Sequence, residues 1–250
     1  MLVSRKIRMT TRFHVGAKAL SSTIDAYAKR FDLLEVRLAD RAPTEASLRR
    51  YRKNVPPHFE FVVVVPPAVA ALKPSAAFDA GLAQTKGAVT ALQARTVLVS
   101  TPPEVTPAAV WRDRMKSLLA ALPRDASQVV WEPHGVWEIE EAARVAKRWD
   151  VVLSVDAARE EVPPGPVAYV RLPTLGAARS YSEAILERVV QRVGDRREAF
   201  VVIETSSALK ECKTLRRLAQ GPGKRAPKGG GGLVIRPRAT ALRVRDDEQE

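Results

Sequence analysis

The sequence is poor in three things that mark common protein classes. It has one cysteine, Cys212, and three histidines. A single cysteine excludes an internal disulfide framework and a cysteine-rich zinc site. No apolar run approaches the roughly 18 residues that a membrane-spanning helix needs. The longest, "FVVVVPPAVAAL", is interrupted by Pro66 and Pro67. The beginning, "MLVSRKIRMTTRF", lacks the continuous apolar core of a secretion signal. These absences lead us to expect a soluble, cytoplasmic protein with no membrane partner. Nucleophile-elbow, P-loop, His-Glu-x-x-His and paired-cysteine motifs are missing, which removes the most easily read enzyme classes.

What is present is apolar residue and positive charge. Hydrophobic residues make up 46% of the 250, enough for a sizeable core. The formal charge is +13, with 29 arginines and 12 lysines. Such a charge raises nucleic acid as a partner. The cations are scattered along helical stretches and not massed in one block, which fits a solvated basic surface equally well.

Eight short runs read as strands: residues 11–17, 33–38, 59–66, 96–103, 128–133, 151–156, 167–173 and 199–205. They are rich in Val, Ile and Phe, nearly continuous in apolar character, and close on Pro, Asp, Thr or Glu. Buried parallel strands have this form. Every gap but one holds an amphipathic segment with helical spacing. "SSTIDAYAKRF" opens on a cap signal at Ser22 or Thr23, and "YSEAILERVVQRVGD" closes on Gly194. The exception, "AAREEVPPGP", is too short and proline-rich for a helix. Strand and helix alternating in this way predict a (β/α)8 TIM-type barrel over residues 11–220. An open doubly wound sheet is the rival, but no glycine-rich dinucleotide fingerprint follows an early strand. Residues 1–10 read as an N-terminal extension. From Gly221 the chain turns to "GPGKRAPKGGGG", which predicts a flexible basic linker and tail over 221–250. That tail has 7 basic and 4 acidic residues, so it carries only +3 of the +13.

Barrel active sites form where strands end. Residues two apart on a strand share a face. Five strands end on polar pairs or single groups: Glu35 with Arg37, Glu132 with His134, Ser154 with Asp156, Tyr169 with Arg171, and Glu204. Unpaired charges inside a barrel cost several kcal/mol, so one shared polar pocket is the economical reading. Three chemistries fit such a set. Carboxylates at different depths can act as acid and base. Glu132, His134, Asp156 and Glu204 can ligate a divalent ion. Arg37 and Arg171 can clamp an anion. Plainer readings stand beside these. Glu35 and Arg37 can be an ion pair closing the mouth, His134 a turn residue, Glu204 a helix cap. Trp137 is either a staple or a stacking platform. Cys212 reads as an incidental thiol on a helix.

The order of segments also resembles the YecE-like barrel family, domain of unknown function 72. The landmarks are "FDLLEVRL", "YRKNVPPHFEFVVVVPP", "TVLVSTPP", "VVWEPHGVWE", "SVDA" and "AYVRLPTLG", covering residues 11–220. The resemblance implies a TIM-type barrel and brings no established activity with it. Glu35, Glu132, Trp137, Asp156 and Arg171 match the family pattern. Other positions depart from it: Val65 stands where relatives carry lysine, Ser100 where they carry glutamine, and His134 where they carry arginine. Pro173 and Thr174 replace a His-Gly pair, and the eighth strand closes on "IETSS". The combined reading is a pocket for a small anionic or phosphorylated ligand with acid-base hydrolytic chemistry; no residue is assigned to a metal, and the sequence leaves a divalent ion open. Glu132 and Asp156 would be its acid-base carboxylates, His134 its proton carrier, and Arg37 and Arg171 its anion clamps. Glu35, Trp137 and Glu204 complete the predicted lining. The alternative is a non-catalytic protein using its basic surface and tail as a nucleic-acid-binding or interaction scaffold. These residues specify neither a cofactor nor an oligomeric state.

Overall fold

The computed structural model describes residues 11–220, apart from 21, 40, 41, 124 and 175–179. The predicted N-terminal extension and the tail over 221–250 lie outside the described residues. The strands are β1 (Arg12–Ala17), β2 (Leu33–Arg37), β3 (Glu60–Val64), β4 (Thr96–Thr101), β5 (Gln128–Pro133), β6 (Val152–Val155), β7 (Val167–Leu172) and β8 (Glu198–Ile203). All pairings are parallel and run β2-β3-β4-β5-β6-β7-β8-β1. The helices are α1 (Ile24–Ala28), α2 (Glu45–Lys53), α3 (Pro67–Ala70), α4 (Ala76–Leu92), α5 (Ala109–Ala121), α6 (Ile139–Trp149), α7 (Glu183–Val193) and α8 (Ala208–Ala219). This is the predicted TIM-type barrel. The proline-rich gap between β6 and β7 holds no helix. The sequence reading passed over α3, a single turn that Pro66 and Pro67 start by fixing φ without needing their missing N–H groups. β5 also runs through Pro133, which pairs with Thr101.

The ring closes between β1 and β2 through side chains as well as backbone. Asp32 N–H donates to the Val15 carbonyl (3.1 Å), and its carboxylate accepts from Val15 N–H (2.5 Å). The Tyr27 hydroxyl accepts from Ala17 N–H (2.8 Å) and donates to the Leu33 carbonyl (2.9 Å). Gly16 makes this approach possible, because a Cβ there would overlap the Leu33 carbonyl.

Two apolar layers result. Outward-facing strand residues pack against the helices in one large core. Inside the ring lies a smaller one: Leu33, Val62, Val64, Leu98, Val130, Val167, Tyr169, Phe200 and Val202. Parity then fixes what stands above and below it. Along β8, Glu198, Phe200, Val202 and Glu204 face inward, charged at both ends and apolar between. The interior is therefore a packed apolar plug with a polar cluster at each mouth.

Candidate functional site

The C-terminal mouth gathers residues from strands across the ring. Arg171, at the end of β7, is at its centre. Its Nη2 lies 2.6 Å from Glu35 Oε1, its Nη1 2.8 Å from Glu204 Oε1, and its Nε 2.6 Å from Glu132 Oε1. The last is an ion contact out of line for a hydrogen bond, so the buried Nε–H has no hydrogen-bond acceptor. Glu35 is the deepest partner; its side chain is wholly buried. It also accepts from the Tyr169 hydroxyl (2.6 Å) and from Arg37 (3.0 Å). A buried carboxylate needs partners of this kind to offset the loss of water.

Above this network the polar groups open to solvent. The cavity there measures about 680 Å³ and is lined by Lys18, Arg37, Ser100, Glu132, Asp156 and Glu204, with His134 and Arg171 among the others. Arg37 and Lys18 keep about half of their side chains exposed (46% and 59%) while pairing with Glu35 and, at 3.4 Å, with Glu204. His134 Nε2 sits 3.0 Å from the Ser100 hydroxyl and 3.7 Å from Glu132. Its placement depends on Gly135, whose φ of +86° suits glycine and whose missing Cβ would lie 2.8 Å from Pro103 backbone.

The electrostatics separate the groups. Burial alone would raise the Glu132 carboxyl. The His134 contact, the Arg171 charge and the Ser100 hydroxyl outweigh it and hold the pKa down at about 2. Glu132 is thus a standing anion across the useful pH range. The same contact raises the His134 pKa against its own partial burial. Burial raises Asp156 too, although it accepts from Ala158 N–H and lies 3.6 Å from Arg159. Burial disfavours the charge on Arg171, but Glu35 and Glu132 more than offset this and keep it protonated.

The arrangement is not a serine-histidine-carboxylate triad. In a triad the serine and the carboxylate hold opposite ring nitrogens. Here Ser100 and Glu132 both approach Nε2. Among the described residues, no group of three or more His, Cys, Asp or Glu side chains is placed to hold a metal ion.

Glu35, Arg37, Glu132, His134, Asp156, Arg171 and Glu204 all come to this mouth, with Glu35 beneath its floor. Trp137 does not line it. Its indole N–H donates to the Val105 carbonyl (2.6 Å) and its ring meets Trp131 edge-on at 4.8 Å. Sequence reasoning passed over Lys18 and gave Ser100 no role in the pocket. The strand-end rule applied to β1 and β4 would have found both. Cys212 is buried on α8, with a pKa pushed up by burial to about 11, and lies away from this mouth.

No helix among the described residues is long and apolar enough to cross a membrane. No curated protein matches the chain. Among solved structures it is similar to a DUF72 family protein from Thermotoga maritima, with a TM-score of 0.64 and 15% identity over 84% of this chain and 99% of the other. A DUF72 family protein from Enterococcus faecalis gives 0.63 and 15%, covering 84% and 98%. A xylose isomerase domain containing protein from Salmonella typhimurium gives 0.54 and 13%, covering 84% and 97%. At these identities the likenesses speak for the fold alone. The family model for the protein of unknown function DUF72 matches residues 10–230, so the chain belongs to the DUF72 family.

Proposed function

We propose that the C-terminal mouth binds a small anionic ligand, a carboxylate or a phosphate ester, and that His134 couples its binding to a proton. The observation that carries this is the division of the cations. Arg171 is neutralised by three carboxylates below the rim. Arg37 and Lys18 stand at the rim with about half of each side chain exposed, and His134 stands beside them. Around the cavity three cations (Lys18, Arg37, Arg171) face four carboxylates, counting Glu35 beneath Arg171. With His134 neutral the balance is −1; with His134 protonated it is zero. An anion is therefore received better once the histidine carries its proton. Any acid-base step would use His134 as proton donor and Asp156, whose pKa burial raises, as the stronger base of the two carboxylates. Glu132, held near 2, tunes the histidine.

Calorimetric titration of the full chain with inorganic phosphate and with glycerol phosphate tests this. Affinity is expected to rise as pH falls from about 8 to about 6. Arg37→Met is expected to weaken it about tenfold. Glu132→Gln should move the pH dependence to lower pH, because His134 loses the contact that raises its pKa while burial and Arg171 still lower it. No measurable binding of either anion at either pH would sink the reading.

A second reading, nucleic-acid binding without catalysis, is favoured by a different observation. Between α2 and α4 a groove of about 640 Å³ is lined by Arg49, Arg52, Lys53 and Lys86 against one carboxylate, Glu45. Arg52 is spent on the Phe59 and Pro56 carbonyls and Arg49 is paired with Glu45 at 2.5 Å, which leaves Lys53 and Lys86 as the exposed cations of the groove. Binding through them should fall steeply with salt. No duplex or single-strand binding even at low salt removes this reading.

A further inference from the structure

We infer that the ligand of the C-terminal mouth carries an apolar arm beside its anionic head, and that the arm lies over β2, β3 and β4. This rests on the anion-binding reading above. The mouth is not polar all round. Its charged groups come from β1, β2, β5, β6, β7 and β8. On the remaining side a second cavity of about 400 Å³ opens among Leu38, Val64, Val65, Pro67, Ala71 and Pro102. Arg37 and Ser100 line both cavities and form their common border.

The border residues suit a ligand that crosses between the two. Arg37 has a long apolar stem, and about half of its side chain is exposed. Ser100 is the smallest polar side chain available at the end of β4, and its hydroxyl is turned to His134. The far wall comes from α3, the proline-started turn that follows β3 directly. Leu38, Val64 and Val65 are nearly fully buried by their own packing, so the side cavity presents a firm apolar wall. Among the described residues, Arg37 is the one charged side chain that lines it. A head held at Arg37 and Lys18 can therefore extend a short alkyl or aryl group into this space, where the described lining holds no carboxylate. The volume falls in the range of small-molecule sites, about 300–1,000 Å³.

The test titrates the full chain with inorganic phosphate, hexyl phosphate and phenyl phosphate, in the wild type and in Ala71→Trp. The indole should fill the side cavity from a position where Ala71 is only partly exposed. The readout is the ratio of each organic phosphate's affinity to that of inorganic phosphate. A general loss of folding or of head-group binding cancels from that ratio. In the wild type at least one organic phosphate should bind about tenfold tighter than inorganic phosphate. In Ala71→Trp the ratio should fall to about one. Equal binding of all three probes overturns the arm and leaves the anion site standing. A ratio that survives Ala71→Trp also overturns it, because the arm then lies elsewhere. Failure of all three probes to bind overturns both the arm and the anion site.

Discussion

At the N-terminal end of the barrel Arg95 bridges Glu60 (2.7 Å) and Glu198 (2.8 Å); at the C-terminal end Arg171 bridges Glu35, Glu132 and Glu204. The ingredients are alike, and the two arginines lie at different depths. Arg95 keeps 39% of its side chain exposed, and its carboxylates lie further in. It closes the bottom as a lid, with His14 stacked on Phe200 just inside. Arg171 keeps 11%, and its deepest carboxylate keeps none. The top network is sunk below the rim and leaves a cavity above it. A barrel end that only needs sealing can place its arginine outermost. An end that must meet a ligand needs its own charges satisfied lower down, so that other groups occupy the rim.

Removing each arginine breaks the comparison most sharply. Arg171→Met leaves three carboxylates without their shared cation, one of them wholly buried. Loss of one partner from a buried pair costs about 3–5 kcal/mol, so urea denaturation should show a loss of that order. Arg95→Met leaves Glu60 and Glu198 nearer to water, and a loss of about 1–3 kcal/mol is expected. Equal losses at the two ends would contradict the difference in depth. A loss below about 1 kcal/mol for Arg171→Met would show that its carboxylates find other partners.

The top of the barrel was more legible in the sequence than the bottom, for a physical reason. Strand C-termini are read by asking which polar residue ends an apolar run, and Glu35, Glu132, Arg171 and Glu204 answer directly. The ion pairs among them follow from burial, but the choice of Arg171 as hub does not. Arg171 and Arg37 look equivalent in sequence; only the ring's stagger places one inside and the other on the rim. The bottom cluster was missed because Glu60 and Glu198 begin their strands and Arg95 precedes its own, positions that read as ordinary solvated charge. Trp137 sits two residues beyond Gly135, and the turn carries its ring away from the cavity toward Trp131. The helix of one turn at Pro67 is too short for periodicity to reveal.

The two histidines sharpen the comparison with the smallest expected effects, and they should respond to pH in opposite directions. At the top, contact with Glu132 raises His134 above 6.5, with burial and Arg171 acting against it. The stability it contributes is fully present below the unfolded value of 6.5 and is lost as pH rises through the folded pKa. At the bottom, burial lowers His14, with Glu60, Asp32 and Glu198 opposing and Arg95 assisting. Its Nε2 is buried without a hydrogen-bond partner, 3.7 Å from Glu198. The folded state then resists protonation, so a penalty absent above 6.5 grows as pH falls toward the lowered pKa. Urea midpoints at about pH 8, 6.5 and 5 separate the two. His134→Gln should lie closest to wild type at the highest pH and fall behind it on acidification. His14→Gln should gain on wild type over the same descent, because the glutamine has no proton to refuse. If both variants drift from wild type in the same direction, the two imidazoles share one kind of environment. The contrast between the sealed end and the end proposed to meet a ligand would then rest on the arginines alone.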